Sequence, residues 1–222
     1  MYLSRLFLNP RNPGARRDAA RPYELHRTLL RALEHAPDPE RMLFRLEPER
    51  GPGGSVVLVQ TDHTPPDWGP LMANGYLLRA DGPKPFEPQL HAGQRLRFRL
   101  VANPTVKKKV PGKKHGARVP LIHDGPNPEG YPTYHDWLRR RAEQAGFEVL
   151  AVQDMPFRTA PKRRKRDVSD ITYEKTEIPL FGVRFDGVLR VTDPARLAES
   201  LRRGIGPAKA FGFGLISLAP AS

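Results

Sequence analysis

A chain of 222 residues has room for one large domain or two of about 100 residues. Its 37 Lys and Arg against 24 Asp and Glu leave a net charge of +13, with a pI of about 10.4, the electrostatic footprint of a polyanion binder. The absence of cysteine excludes disulfides, thiolate-bound zinc and thiolate catalysis, and fits a reducing cytoplasm.

No apolar run approaches the ~18 residues of a membrane span, and Met1-Tyr-Leu-Ser-Arg lacks the order of a signal peptide. No basic amphipathic helix with bulky apolar residues opposite Lys and Arg is visible either, so a membrane partner is not expected. The 25 prolines and 19 glycines predict many loops between folded segments.

Tyr2 to Leu8 reads as a strand, and Asn9 to Ala20 as a loop carrying Arg11, Arg16 and Arg17. Pro22 then suits the first turn of a helix that runs to about His35, where Pro37 stops it. At 100° per residue, Leu25, Leu29, Ala32 and Leu33 form its core face. Tyr23, Arg27 and Arg31 lie opposite, with His26 at the border, so a phenol, an imidazole and two guanidiniums share one surface.

Met42 to Glu47 and Ser55 to Thr61 read as a hairpin across Gly51-Pro-Gly-Gly54. A short helix over Asp67 to Ala73 and a short strand over Tyr76 to Arg79 complete the order strand, helix, strand, strand, helix, strand, a ferredoxin-like arrangement. Proline density makes Gly82 to Pro88 the best linker, with a domain boundary near residue 90.

In the second half, Arg95, Arg97 and Arg99 alternate with Leu96, Phe98 and Leu100, giving one basic and one buried strand face. From Pro88 to His123 there are nine Lys and Arg and no acid; Lys107, Lys108, Lys109, Lys113 and Lys114 are candidate polyanion contacts, partly in a solvated loop. Thr133 to Ala145 reads as a helix closed by Gly146, and Phe147 to Gln153 as a strand. Arg158, Lys162, Arg163, Arg164, Lys165 and Arg166 crowd a predicted hairpin loop, a candidate probe for an RNA groove. Strands over Ile171 to Thr176, Ile178 to Phe185 and Gly187 to Val191 follow, then a helix from Asp193-Pro194 to Arg203 and a last strand over Phe213 to Leu218. The strand and helix order of the first half thus appears a second time.

Gly204-Ile-Gly-Pro-Ala-Lys-Ala-Phe-Gly-Phe-Gly214 places Gly204, Gly206, Gly212 and Gly214 in eleven positions, with Lys209 between them. It is not a dinucleotide fingerprint, which needs a glycine at 209, nor a Walker loop, which needs Lys-Ser/Thr after its last glycine. A tight helix-to-strand turn and a cradle for a nucleic-acid backbone both fit it.

Three stretches carry a family resemblance: Tyr2-Leu-Ser-Arg-Leu-Phe-Leu-Asn9, Tyr23-Glu-Leu-His-Arg-Thr-Leu29 and the glycine loop. Together they resemble CasE-type CRISPR repeat endoribonucleases, the RNA-processing subunit of type I-E Cascade. The resemblance implies α+β architecture with two tandem ferredoxin-like (RAMP/RRM-like) domains, 1–90 with the catalytic helix and 91–222 with the basic hairpin and glycine loop. It also implies cleavage of a repeat stem-loop at the base of its stem without metal or other cofactor, leaving a 2′,3′-cyclic phosphate and a 5′-hydroxyl. The partners implied are the CRISPR repeat stem-loop RNA and Cascade protein subunits. The family's catalytic residues match Tyr23 and His26, and a basic residue later on the helix matches Arg31.

The chemistry is consistent with those residue types. Attack of a ribose 2′-OH on the adjacent phosphorus needs orientation, proton transfer and charge stabilisation. An imidazole serves as acid or base, a phenol can position or donate, and Arg27 and Arg31 can meet developing negative charge. A non-catalytic RNA-binding scaffold of the same fold and a basic ribosome- or DNA-associated protein are the competing readings.

Overall fold

The computed structural model describes residues 1–36, 41–51, 54–109, 117–125, 130, 132–159, 162–164, 175–177 and 180–221. The chain divides into two units. The first holds Met1–Glu87, Ala160–Pro179 and Lys209–Gly212; the second holds Pro88–Thr159, Leu180–Ala208 and Phe213–Ser222.

In the first unit, β1 (Tyr2–Leu8), β2 (Met42–Gly51), β3 (Gly54–Thr61) and β4 (Leu77–Pro85) form an antiparallel sheet of order β2-β3-β1-β4. Helices α1 (Pro13–Ala19), α2 (Pro22–Leu30) and α3 (Gly69–Ala73) connect them. Alternation along β1 buries Ser4, Leu6 and Leu8 and leaves Arg5 exposed. Leu6 and Leu8 join Leu25, Leu29, Phe44, Val57 and Trp68 in one core. Each such side chain contributes about 1.5–3 kcal/mol on burial.

Two expectations change here. The segment expected to be a loop holds α1, because the Asn12 side chain accepts from the Ala15 N–H and Pro13 occupies the first turn. The expected linker begins as strand: β4 continues through Pro83 to Pro85. It is an edge strand bonded only to β1, a sheet position where a proline whose nitrogen faces outward loses no ladder donor.

In the second unit, β5 (Arg95–Ala102) is followed by a small hairpin, β6 (Thr105–Lys108) with β7 (Ala117–Pro120). Helix α4 (Tyr134–Gln144) opens on a capping box between Thr133 and Asp136. The long strand β8 (Phe147–Thr159) follows. Next in sequence comes a short two-stranded ribbon, β9 (Lys162–Arg164) with β10 (Lys175–Glu177), inside the segment that clusters with the first unit. Then come β11 (Leu180–Val191), α5 (Pro194–Arg203) and β12 (Ile216–Pro220), and the sheet order is β12-β5-β11-β8.

The alternation expected in β5 is present: Leu96, Phe98 and Leu100 are buried, and Arg95 and Arg97 exposed. Its basic face is compensated at Arg99, however. Arg99 Nε lies 2.6 Å from Asp186 Oδ1, and Arg184 Nε lies 2.9 Å from Asp186 Oδ2, so β11 brings the acid that the local sequence lacks. The separate strands expected over 178–185 and 187–191 are one, β11, which pairs with β8 along its length and carries a register shift between Val188 and Leu189. The last strand begins at Ile216 rather than Phe213. Among the described residues no helix is long and apolar enough to cross a membrane.

Candidate active site and nucleic-acid interface

Helix α2 is held by its buried side. Leu25 and Leu29 are fully buried, and Ala32 and Leu33 follow them into the core. The helix is shorter than its periodicity predicts: it ends at Leu30, and Arg31–Leu33 tighten into a 3-10 turn. Its rotation is locked by a feature sequence reasoning missed, the fully buried carboxylate of Asp18 at the end of α1. Thr28 Oγ1 on α2 donates to Asp18 Oδ2 at 2.7 Å, the Tyr76 hydroxyl donates to the same oxygen at 3.0 Å, and Arg17 Nε donates to Oδ1 at 2.9 Å. Burial, and then the charge of Asp18, push the Tyr76 phenol well above its ordinary pKa. The only sequence signal for this hub is that Asp18 is the first acid of the chain, set in an arginine-rich stretch.

This rotation turns Tyr23, His26, Arg27 and Arg31 away from the core. Tyr23 and His26 are half-buried, and Arg27 and Arg31 are exposed. The His26 ring packs on the Phe44 ring with centroids 5.9 Å apart, and burial lowers its pKa below the ordinary 6.5. The face is less uniformly basic than its arginines suggest, because Arg27 Nη1 lies 3.3 Å from Glu24 Oε2, one turn back.

The glycine-rich stretch reaches this helix through four residues. Lys209–Phe211 form a 3-10 turn that belongs with Gly212 to the first unit, and the Phe211 ring lies 5.5 Å from the Tyr23 ring. Gly212 has a φ of +82°, and a Cβ there would stand 3.2 Å from the Phe44 ring. Gly206, in the second unit, approaches Trp137 so closely that a Cβ would meet the indole at 2.9 Å. Two of the four glycines are therefore required by protein packing. Gly204 follows α5, and the Gly214 N–H donates to the Val101 carbonyl at 2.8 Å.

The basic segments are distributed as follows. Lys107 and Lys108 stand exposed on β6, with Arg118 directly opposite Lys107, so they sit on a hairpin rather than in a loop. Lys109 follows, exposed, whereas Lys113 and Lys114 lie outside the described residues. Arg158 is exposed on β8, opposite Phe181. Lys162, Arg163 and Arg164 form β9; Lys165 and Arg166 lie outside the described residues. Among the described residues no three His, Asp or Glu side chains gather as a metal site.

Comparison with known proteins bears on this geometry. A model of the family described as "CRISPR associated protein" matches residues 1–220. The chain is 42% identical over 228 residues to the CRISPR-associated endoribonuclease Cse3 of Thermus thermophilus, covering 99% of this chain and 100% of the relative. It is 31% identical over 229 residues to the CRISPR system Cascade subunit CasE of Escherichia coli, again covering 99% and 100%. A solved structure of CRISPR endoribonuclease Cse3 bound to 19 nt RNA superposes with a TM-score of 0.80 at 44% identity, covering 99% of this chain and 100% of the other. With matches running end to end in sequence and in fold, the chain belongs to the CRISPR associated protein family, alongside Cse3 and CasE.

Proposed function

We propose that this protein is a metal-independent endoribonuclease that cuts CRISPR precursor RNA at the base of the repeat stem-loop. It then retains the mature RNA within a Cascade assembly. The observation that carries this reading is full-length similarity to an endoribonuclease in a chain whose Tyr23 and His26 share one half-buried helical face beside the Lys209–Gly212 turn. The names of the relatives, an endoribonuclease and a Cascade subunit, support the RNA and protein partners. The two sheets support the finer architecture of tandem ferredoxin-like domains meeting near residue 90. Each reads, in its own strand order, fourth-first-third-second.

In this mechanism the ribose 2′-oxygen attacks the neighbouring phosphorus and the bond to O5′ breaks. The products are a 2′,3′-cyclic phosphate and a 5′-hydroxyl. Burial keeps His26 neutral near pH 7, so its free nitrogen takes the proton of the 2′-OH. Tyr23 donates to a phosphate oxygen, Arg31 meets the charge of the transition state, and O5′ is protonated from solvent. The exposed Lys107, Lys108, Lys109 and Arg158 bind phosphates along the stem.

Cleavage of an end-labelled repeat stem-loop in excess EDTA tests the reading. The expected result is one defined cut whose 5′ fragment ends in a cyclic phosphate. Tight binding with no cut would instead mark a scaffold, and a cut restored only by a divalent ion would overturn metal independence.

A pH prediction follows from the imidazole. The second-order cleavage rate at low protein concentration reports the free protein's groups. A base with a depressed pKa is already deprotonated above 6.5, so the rate should be level there and fall about tenfold per unit once pH drops through the lowered value. Rates measured between about pH 5 and 8 check this. A rate that declines as pH rises through that lowered value would make His26 the proton donor.

A further inference from the structure

The glycine-rich stretch contains two phenylalanines, and they have different fates. Phe213 is 1% exposed and stacks on Phe157, with centroids 6.1 Å apart and planes 15° from parallel, so it is core. Phe211 is only half-buried and lies outside that core, yet its ring meets Tyr23 at 5.5 Å with a 32° tilt. Gly212 between them turns at φ +82° and passes over Phe44, whose ring in turn packs on His26. One short turn thus touches the phenol directly and backs the ring behind the imidazole.

A tyrosine at the rim of a helix has three staggered χ1 wells, and productive chemistry uses one of them. A ring against one side of the phenol removes the alternatives before RNA arrives. On this basis, and resting on the assignment of Tyr23 to the reaction, we infer that Phe211 is a positioning residue that holds the Tyr23 phenol in its reactive orientation. The glycine-rich stretch then orders the active site as well as lying beside it. Confinement to one well in three is worth about threefold in rate, and misplacement of a reacting group up to about 100-fold. Phe211→Ala is therefore expected to slow cleavage by about tenfold.

The experiment is single-turnover cleavage of a repeat stem-loop at saturating protein, with the RNA Kd measured alongside. Wild type, Phe211→Ala, Phe211→Tyr, Tyr23→Phe and the double variant Tyr23→Phe/Phe211→Ala are compared. The expected pattern is slowed cleavage with an unchanged Kd in Phe211→Ala, and recovery in Phe211→Tyr, which keeps the ring. In the Tyr23→Phe background, adding Phe211→Ala should cost nothing more, because both substitutions act on one group. If the alanine variant loses its cooperative unfolding transition, Phe211→Leu carries the same test, keeping apolar volume without the ring. Full activity of Phe211→Ala beside a slow Tyr23→Phe, or additive losses in the double variant, overturns the inference and leaves the function standing. A wild-type protein that cuts no repeat RNA overturns both.

Discussion

His26→Ala is expected to leave repeat-RNA affinity almost unchanged while lowering the single-turnover cleavage rate by about 10²–10⁴, the range for loss of a proton-transfer group. Affinity survives because the exposed lysines and arginines sit on other elements: Lys107 and Lys108 on β6, and Arg158 on β8. The fold survives because His26 is only half-buried, whereas Leu25 and Leu29 carry the packing of α2. Gel-shift titration beside a cleavage time course separates the two effects. Cleavage by the variant at the wild-type rate would remove the imidazole from the mechanism.

The second large effect falls on stability. Asp18→Ala removes the common acceptor of the Thr28 and Tyr76 hydroxyls in a fully buried setting. Hydrogen bonds to a charged group contribute about 1.5–3 kcal/mol each, and the stranded donors add a desolvation cost. A loss of about 3 kcal/mol or more follows. For a chain of this size that lowers Tm by roughly 6–12 °C. Asp18→Asn keeps the shape and one acceptor oxygen and should lose less than the alanine variant. Thermal unfolding of the three proteins checks the order. Because Thr28 sits between Tyr23 and Arg31 on the same turns of chain, the alanine variant should also cleave more slowly below its melting temperature. An Asp18→Ala protein that melts with wild type would mean the carboxylate carries no net stability.

Much of the site helix was legible in the sequence because a helical period is a local property. The core face of Leu25, Leu29, Ala32 and Leu33 and the outward face of Tyr23, Arg27 and Arg31 follow from angles alone, and the structure has both. The Glu24–Arg27 pair follows from the same geometry, but a surface read as a phenol, an imidazole and two guanidiniums leaves Glu24 out. Helix α1 was hidden because proline and glycine around Asn12 and Pro13 signal a loop as strongly as a helix start. The true end of β4 was hidden because proline excludes a central strand, and only topology reveals an edge. Pairing between strands distant in sequence was invisible too, so the acid-free stretch around Arg99 gave no hint of Asp186. The Phe211–Tyr23 contact joins the two ends of the chain, and no periodicity encodes it.

The segment Lys209–Gly212 clusters with the first unit although its immediate neighbours on both sides cluster with the second. During synthesis, therefore, α2 emerges from the ribosome early but waits for almost the entire polypeptide before its aromatic neighbour is made. A nascent chain halted anywhere upstream of that segment carries Tyr23 without its contact to Phe211. An isolated N-terminal fragment would therefore lack one aromatic neighbour of the helix that carries Tyr23 and His26.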